Sequence, residues 1–231
     1  QGCSFSRAGL EGCEMEEARL ESADLTRARV QMTDLDGLDF RSCRLSECVF
    51  QLCSLEGTTL SAMNLAGCCF VDSDLAGADL KQSILDNADC KQASFVGADL
   101  KGCSLRRANC AFVDFSKAHL TEAVLQKADL RSACFQEAFL DKADFSGSRL
   151  DRGSFALASC EGARFLKADL HYADLSHADV RRADFSGANL VQSILHRIAE
   201  DNTEWSGADL KLATMTDKDL AEAEDWKPSL E

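Results

Sequence analysis

Cysteine and histidine are the side chains in this sequence that could most readily bind a metal or take part in catalysis. The twelve cysteines are possible metal ligands, nucleophiles or disulfide partners, and the four histidines are possible ligands or general bases. The histidines show no metal-ligand spacing with cysteine: His119, His171, His177 and His196. We therefore expect no metal site, no cofactor and no catalytic centre, so the chain is predicted not to be an enzyme.

The sequence that contains these side chains has a strict five-residue repeat of apolar residues. Every multiple of five from Phe5 to Leu195 is Leu, Phe, Met, Val or Cys, and a small residue, usually alanine, stands two positions earlier. Neither an α-helix nor a β-strand keeps residues of this period on one face. Twelve of the fourteen glycines lie two residues after the apolar position. Because glycine favours positive φ, the pattern predicts one turn per repeat.

Phenylalanine spacing predicts how many turns close one coil. Six pairs of in-phase phenylalanines are 20 residues apart: 50/70, 95/115, 115/135, 135/155, 145/165 and 165/185. Since like aromatic rings stack well in successive coils, this spacing favours four sides per coil. About ten coils, stacked at ~4.8 Å, would form a rod roughly 47 Å long.

The repeat has the form A(D/N)LXX, as in Ala23-Asp24-Leu25, Ala98-Asp99-Leu100 and Ala188-Asn189-Leu190. It resembles the pentapeptide-repeat family over residues 1–195 and, more loosely, to about residue 213. The resemblance implies an all-β fold, a right-handed quadrilateral β-helix. We expect the recurring aspartates to hydrogen-bond the local backbone rather than to form an acid pair.

The pattern first breaks at Glu200, so we place a repeat domain at 1–195 and an irregular last coil with a helical cap at 196–231. The register returns briefly at Trp205, 20 residues after Phe185, where it would close an aromatic column. A short helix is predicted from Thr216, as N-cap, to Trp226, with Leu220 and Trp226 along one side. Its expected role is to cap an open coil end, together with Trp205. The start at Gln1, already within the pattern, suggests a piece of a longer protein.

Ten cysteines occupy inward-facing phases and should act as small apolar fillers: residues 3, 13, 43, 48, 53, 68 and 103 at the small position and 90, 110 and 160 at the large one. Cys48/Cys68 and Cys90/Cys110 are one coil apart, although parallel side chains are poorly aimed for a disulfide. Cysteines used as core residues indicate a reducing compartment, and we expect a cytoplasmic protein.

The surface carries the functional signals. No apolar run could span a membrane, and no phosphate loop, GxSxG elbow or basic-aromatic surface is present, so we expect no membrane span and no direct nucleic-acid binding. An apolar column is predicted to point outward on one side and to contact a protein partner or a second copy of the chain. Its members are Met32, Val49, Leu52, Cys69, Val71, Phe112 and Tyr172.

Two protein-binding functions fit these features. The first is a non-catalytic scaffold, the C-terminal module of a larger bacterial protein that resembles type VI secretion effector-loading adaptors. The alternative follows from the net charge of −14, because pentapeptide-repeat proteins that resemble quinolone-resistance factors imitate DNA and bind DNA gyrase. Residues 101–150 carry a net charge of +2, which weighs against this alternative.

Overall fold

The computed structural model describes residues 2–13, 15 and 18–225. Successive coils pair through parallel bridges between residues 20 apart, beginning with Ser4 and Asp24 and ending with Ile194 and Thr214. The predicted coil of four pentapeptides is therefore confirmed, and the chain forms a four-sided β-helix.

Regular strands occur on one side of the first coils. β1 (Gly9–Glu11), β2 (Arg29–Gln31) and β3 (Val49–Gln51) form a parallel sheet in the order β1-β2-β3. Leu10 pairs with Val30, and Val30 pairs with Phe50. The other sides of the coils are joined by single bridges, and α1 (Lys218–Asp225) follows the last coil.

A β-turn at each corner bends the chain. At the first described corner, the Ala8 N–H donates to the Phe5 carbonyl oxygen at 2.8 Å, and Arg7 between them has a φ of 61°. The second turn residue is left-handed in coil after coil, whether it is glycine or not. Positive φ at this position is the type II turn geometry, which explains the glycine enrichment.

The core is a stack of layers, one per coil, in which the equivalent large positions are all apolar. The positions at multiples of five are buried from Leu20 to Leu195, and alanine, cysteine or serine fills the space beside most of them. All six phenylalanine pairs predicted to stack do so, with ring centroids between 4.6 and 5.4 Å apart. Adjacent sides meet edge to face, as Phe145 and Phe155 do at an interplanar angle of 83°. These side chains fill the interior of the coil.

The recurring aspartates satisfy turn amides, as predicted. Asp24 Oδ1 accepts the Thr26 N–H at 3.0 Å, and Asp114 Oδ1 accepts the Ser116 N–H at 2.8 Å. No described backbone carbonyl of a neighbouring coil accepts a hydrogen bond from these turn amides, so the aspartate carboxylate accepts it instead.

The cysteines follow the prediction with two corrections at the first coil. Eight of the ten predicted core cysteines are buried, but Cys3 is exposed and Cys13 is only half-buried. Both lie in the first described coil, where neighbouring side chains cover them on one side only. A small apolar residue is buried only where layers exist on both sides.

Pairing continues past residue 195, where the sequence pattern first breaks. Asp184 bridges Glu204, and Asn189 bridges Asp209. Glu200 stands exposed at the position of a core residue, and its carboxylate accepts a hydrogen bond from Trp205 Nε1 at 3.2 Å. A domain boundary at residue 195 stays a prediction.

The C-terminal helix is present, but its start and its packing differ from the prediction. Asp217, not Thr216, is the N-cap, because Asp217 Oδ1 accepts the Asp219 and Leu220 N–H groups at 2.9 and 3.1 Å. The Thr216 hydroxyl instead accepts the Arg197 N–H at 3.1 Å. Leu220 is exposed rather than packed, and the predicted helix end at Trp226 lies outside the described residues. Among those residues there is no helix with the length and apolar character that a membrane crossing requires.

Candidate interaction surface

The most exposed apolar side chains of the N-terminal coils project from one corner. Met32 and Leu52 occupy the same turn position in consecutive coils, and each has 54% of its surface exposed. Both are left-handed, with φ of 47° and 54°. A non-glycine residue in this conformation costs on the order of 1 kcal/mol. The coil imposes this φ at its turn positions, but it does not require a large apolar side chain there, and exposing one adds a further cost.

Three smaller residues join Met32 and Leu52 into one surface. Val49 bridges Cys69 on the next coil, and the Leu52 N–H donates to the Val71 carbonyl at 3.2 Å. Val49, Cys69 and Val71 are half-buried, and burial raises the pKa of the Cys69 thiol. We call this set of five residues the apolar patch: Met32, Val49, Leu52, Cys69 and Val71.

Phe112 and Tyr172 lie at the same corner but not in the apolar patch. Phe112 is exposed, and Asp72 and Gln92 occupy the same turn position in the coils that separate it from Leu52. The Arg152 guanidinium lies 5.7 Å from the Tyr172 ring centroid, so a cation already contacts the ring. The predicted column is outward-facing throughout, but its continuous part ends at Val71.

Acidic side chains gather at another corner of the coils that follow. Positions 14 and 19 of the 20-residue coil lie on the two sides that meet at this corner, and positions 16 and 17 are its turn residues. Between residues 34 and 119, Lys117 is the single lysine or arginine at these positions. We call the acidic members the acidic face: Asp34, Asp36, Asp39, Glu56, Asp74, Asp79, Asp99 and Asp114. Charge counts along the chain mix the four sides and therefore hid this asymmetry.

Two cations pair with carboxylates of the acidic face. Hydrogen bonds from the Arg41 side chain and amide hold the pKa of Asp39 at about 2. Lys81 Nζ lies 3.6 Å from Asp79 and 3.1 Å from Asp99. Arg41 and Lys81 thus balance part of the negative charge of the acidic face at its rim.

Two histidines and a glutamate meet where α1 contacts the last coils. His177 Nε2 lies 3.4 Å from Glu224 Oε1, and His196 Nε2 lies 3.3 Å from Glu224 Oε2. Sequence reasoning missed this cluster because 177 and 196 differ by 19, not 20, and so fall at different phases. They are the two adjacent turn positions of one corner in neighbouring coils. That relation is readable from the coil length, whereas the place of Glu224 is not.

The geometry defines a repeat protein, a four-sided β-helix built from five-residue repeats. Sequence models agree: the model of the pentapeptide repeat region matches residues 3–80, and the model of pentapeptide repeats in eight copies matches 73–109, 108–147, 149–187 and 158–197. The chain belongs to the pentapeptide-repeat family.

Solved structures of the same family resemble the chain over most of its length. HetL of Nostoc sp. strain PCC 7120, a protein involved in heterocyst differentiation regulation, is 24% identical over 94% of this chain and 90% of its own, with a TM-score of 0.33. Full-length QnrB1, a plasmid-mediated fluoroquinolone resistance protein, is 16% identical over 96% and 95%, with a TM-score of 0.30. A pentapeptide repeat protein of the Arabidopsis thaliana thylakoid lumen is 22% identical over 58% and 69%, with a TM-score of 0.20. No curated protein sequence matches the chain.

Proposed function

We propose that this protein is a non-catalytic scaffold that binds a protein partner through the apolar patch. The observation that carries the proposal is the pair Met32 and Leu52, which are both left-handed and both exposed. Glycine would relieve the backbone cost at these positions, and a polar residue would remove the cost of exposure. Two large apolar side chains at successive layers suit a partner that buries them.

The site is suited to a rigid partner surface. Its backbone is fixed by coil-to-coil hydrogen bonds, such as Met32 N–H to the Gln51 carbonyl at 3.1 Å. Little ordering entropy is then lost on binding, which favours affinity for a small contact area. A glutamine ladder beside the patch, Gln31 Nε2 to Gln51 Oε1 at 3.0 Å, supplies polar groups for its rim.

The finer form of this proposal is a C-terminal binding module of a larger bacterial protein, of the type VI secretion effector-loading adaptor kind, in the cytoplasm. What supports it is the resemblance of the segment from Trp205 onward to such tails, together with the apolar patch. A second copy of the chain is the other occupant that the apolar patch could take.

The test compares two matched double variants as baits in bacterial lysate. Leu52→Asp with Val71→Asp should lose the partner. Val96→Asp with Leu157→Asp should retain it, because it changes the same residue types at the same two turn positions on a different corner. Leu157 is 55% exposed and has a φ of 61°, which matches Leu52 closely. Equal recovery with both variants would remove the apolar patch from the proposal. Light scattering of the free proteins distinguishes self-association from a foreign partner.

The acidic face supports a second candidate, the imitation of DNA for binding to DNA gyrase. Eight carboxylates at one corner of five successive coils, and on the two sides that flank it, form a band of negative charge, and a region of one sign of charge can steer a DNA-binding surface. A gyrase supercoiling assay tests this idea with Asp74→Asn and Asp99→Asn against the control Asp169→Asn and Asp209→Asn on another side. Inhibition by the wild type that only the first pair weakens would favour gyrase binding, and an absence of inhibition would exclude it.

A further inference from the structure

We infer that His177, His196 and Glu224 form a binding site for a divalent transition-metal cation, with Zn²⁺ the first candidate. Their ligand atoms all lie within 4.8 Å of one another. A tetrahedral Zn²⁺ with ligands at about 2.0–2.1 Å separates neighbouring ligand atoms by roughly 3.3 Å. Each histidine lies at about this separation from a different oxygen of Glu224, with His177 Nε2 3.4 Å from Oε1 and His196 Nε2 3.3 Å from Oε2. The carboxylate would therefore turn to present one oxygen, or both, to the cation.

The ligand types select the cation. Two imidazoles and one carboxylate suit zinc, copper or nickel, whereas magnesium and calcium prefer oxygen ligands alone. His196 is buried with 4% of its surface exposed, and His177 is exposed at the outer side of the cluster. Solvent therefore has access to the site and would supply the fourth ligand.

The fold holds two of the ligands and recruits the third. His177 and His196 are fixed by the coil, since the His177 N–H donates to the His196 carbonyl at 2.8 Å. Glu224 comes from the last turn of α1. A cation at this site would therefore fasten α1 to the last coils.

A cation bound to Glu224 would compete with the ion pair between Glu224 and Arg197. The Arg197 guanidinium lies 3.1 Å from Glu224, but it also binds Asp225 at 2.8 and 3.1 Å and the Ala221 carbonyl at 3.2 Å. Arg197 thus keeps partners if Glu224 turns to a metal. Hydrogen bonds from His196 and Arg197 keep the Glu224 pKa low against the opposing effect of burial, so this ligand is ionised at neutral pH.

One hydrogen bond of His196 must change when a cation binds. The Asp217 N–H donates to His196 Nδ1 at 3.2 Å, which places the proton of neutral His196 on Nε2. A metal at Nε2 replaces that proton, and Nδ1 then carries a proton and no longer accepts from Asp217. Binding consequently couples to the first turn of α1, where Asp217 is the N-cap.

The experiment is a calorimetric titration of the full, chelator-treated chain with Zn²⁺. We expect one equivalent to bind, and His177→Gln or Glu224→Gln to weaken binding at least tenfold. The matched controls are His119→Gln, a histidine outside the cluster, and Glu222→Gln, an exposed carboxylate on the same helix. Both should bind like the wild type. His196 is left unchanged because it is buried and its loss could disturb the coil.

Two further readouts separate this site from cysteine ligation and from a purely structural cluster. Co²⁺ should give ligand-field bands without a thiolate charge-transfer band. Zn²⁺ should slow amide exchange in α1 of the wild type but not of His177→Gln. An absence of stoichiometric binding, equal binding by Glu224→Gln, or a thiolate band in the Co²⁺ spectrum would each overturn the inference.

Discussion

Trp205 stacks on Phe185 with ring centroids 4.6 Å apart and planes 9° from parallel. The indole continues an aromatic column that includes Phe165, whose ring lies 4.6 Å from that of Phe185. Trp205 thus covers the last fully buried phenylalanine of the core, although the preceding core position is occupied by Glu200. The break in the sequence pattern leaves the stack itself continuous.

Replacing Trp205 with alanine should loosen the last coil without unfolding the rod. The change removes a partly buried aromatic ring and uncovers Phe185, which we expect to cost about 2 kcal/mol. Because solenoid layers contact only their neighbours, faster amide exchange should be confined to residues near the C-terminal coils. Leu212→Ala, at an exposed turn position, serves as the control. Uniform loss of protection along the chain would contradict this layered behaviour.

Replacing Ala128 with leucine should overfill the coil. Ala128 is completely buried, so three additional carbon atoms must displace its neighbours, at a cost of roughly 1–3 kcal/mol. Chemical denaturation measures the effect. The same leucine at exposed Lys127 should change stability little, and an Ala128→Leu variant as stable as the wild type would refute the inward packing.

A pair of serines tests the backbone cost of the turns. Ser132 is left-handed, with a φ of 54°, whereas Ser94 bridges Asp114 on a coil side. Ser132→Gly should stabilise the protein by about 0.5–1 kcal/mol, because glycine adopts positive φ without strain. Ser94→Gly should destabilise it by a similar amount, since glycine only adds flexibility there. Effects of the same sign in both variants would argue against turn strain.

Thiol reactivity should separate the terminal coil from the interior. Burial raises the pKa of Cys48 to about 12 and that of Cys68 to about 11. A raised pKa keeps these thiols protonated, and so unreactive, until the pH approaches those values. At pH 8, iodoacetamide should modify exposed Cys3 in the native protein, and Cys48 and Cys68 only after denaturation. Mass spectrometry of the labelled peptides reads out the result, and rapid native labelling of Cys48 would contradict a closed core.

The interior of the coil was predictable because it depends on local repetition. An apolar residue every five positions and a small residue two places earlier require the same bend at each repeat. The 20-residue spacing of Phe145, Phe165 and Phe185 then identifies the layers that stack. The prediction failed at the first described coil, where Cys3 is exposed, and at the C-terminal helix, where Asp217 rather than Thr216 is the N-cap and Leu220 is exposed.

The surfaces were only partly predictable. The 20-residue period placed Met32, Leu52 and Val71 at one corner. The structure shows in addition that Asp72 and Gln92, at the same turn position, separate Leu52 from Phe112. The acidic face is visible when charges are compared at equivalent positions of the coil, and it is hidden when they are summed over consecutive stretches of the chain. Each of these features needs the coil length and the corner positions together.

The sequence by itself determined the coil, its four sides and the direction of every core side chain, because a five-residue period leaves a chain no other way to bury its apolar positions. Only the tertiary structure decided which side chains meet at the end of the rod. The direction of α1 depends on single contacts, such as Asp217 to His196 and Arg197 to Asp225, which no repeat enforces. A lone contact between distant residues leaves no periodic trace, and the cluster of His177, His196 and Glu224 is therefore visible only after folding.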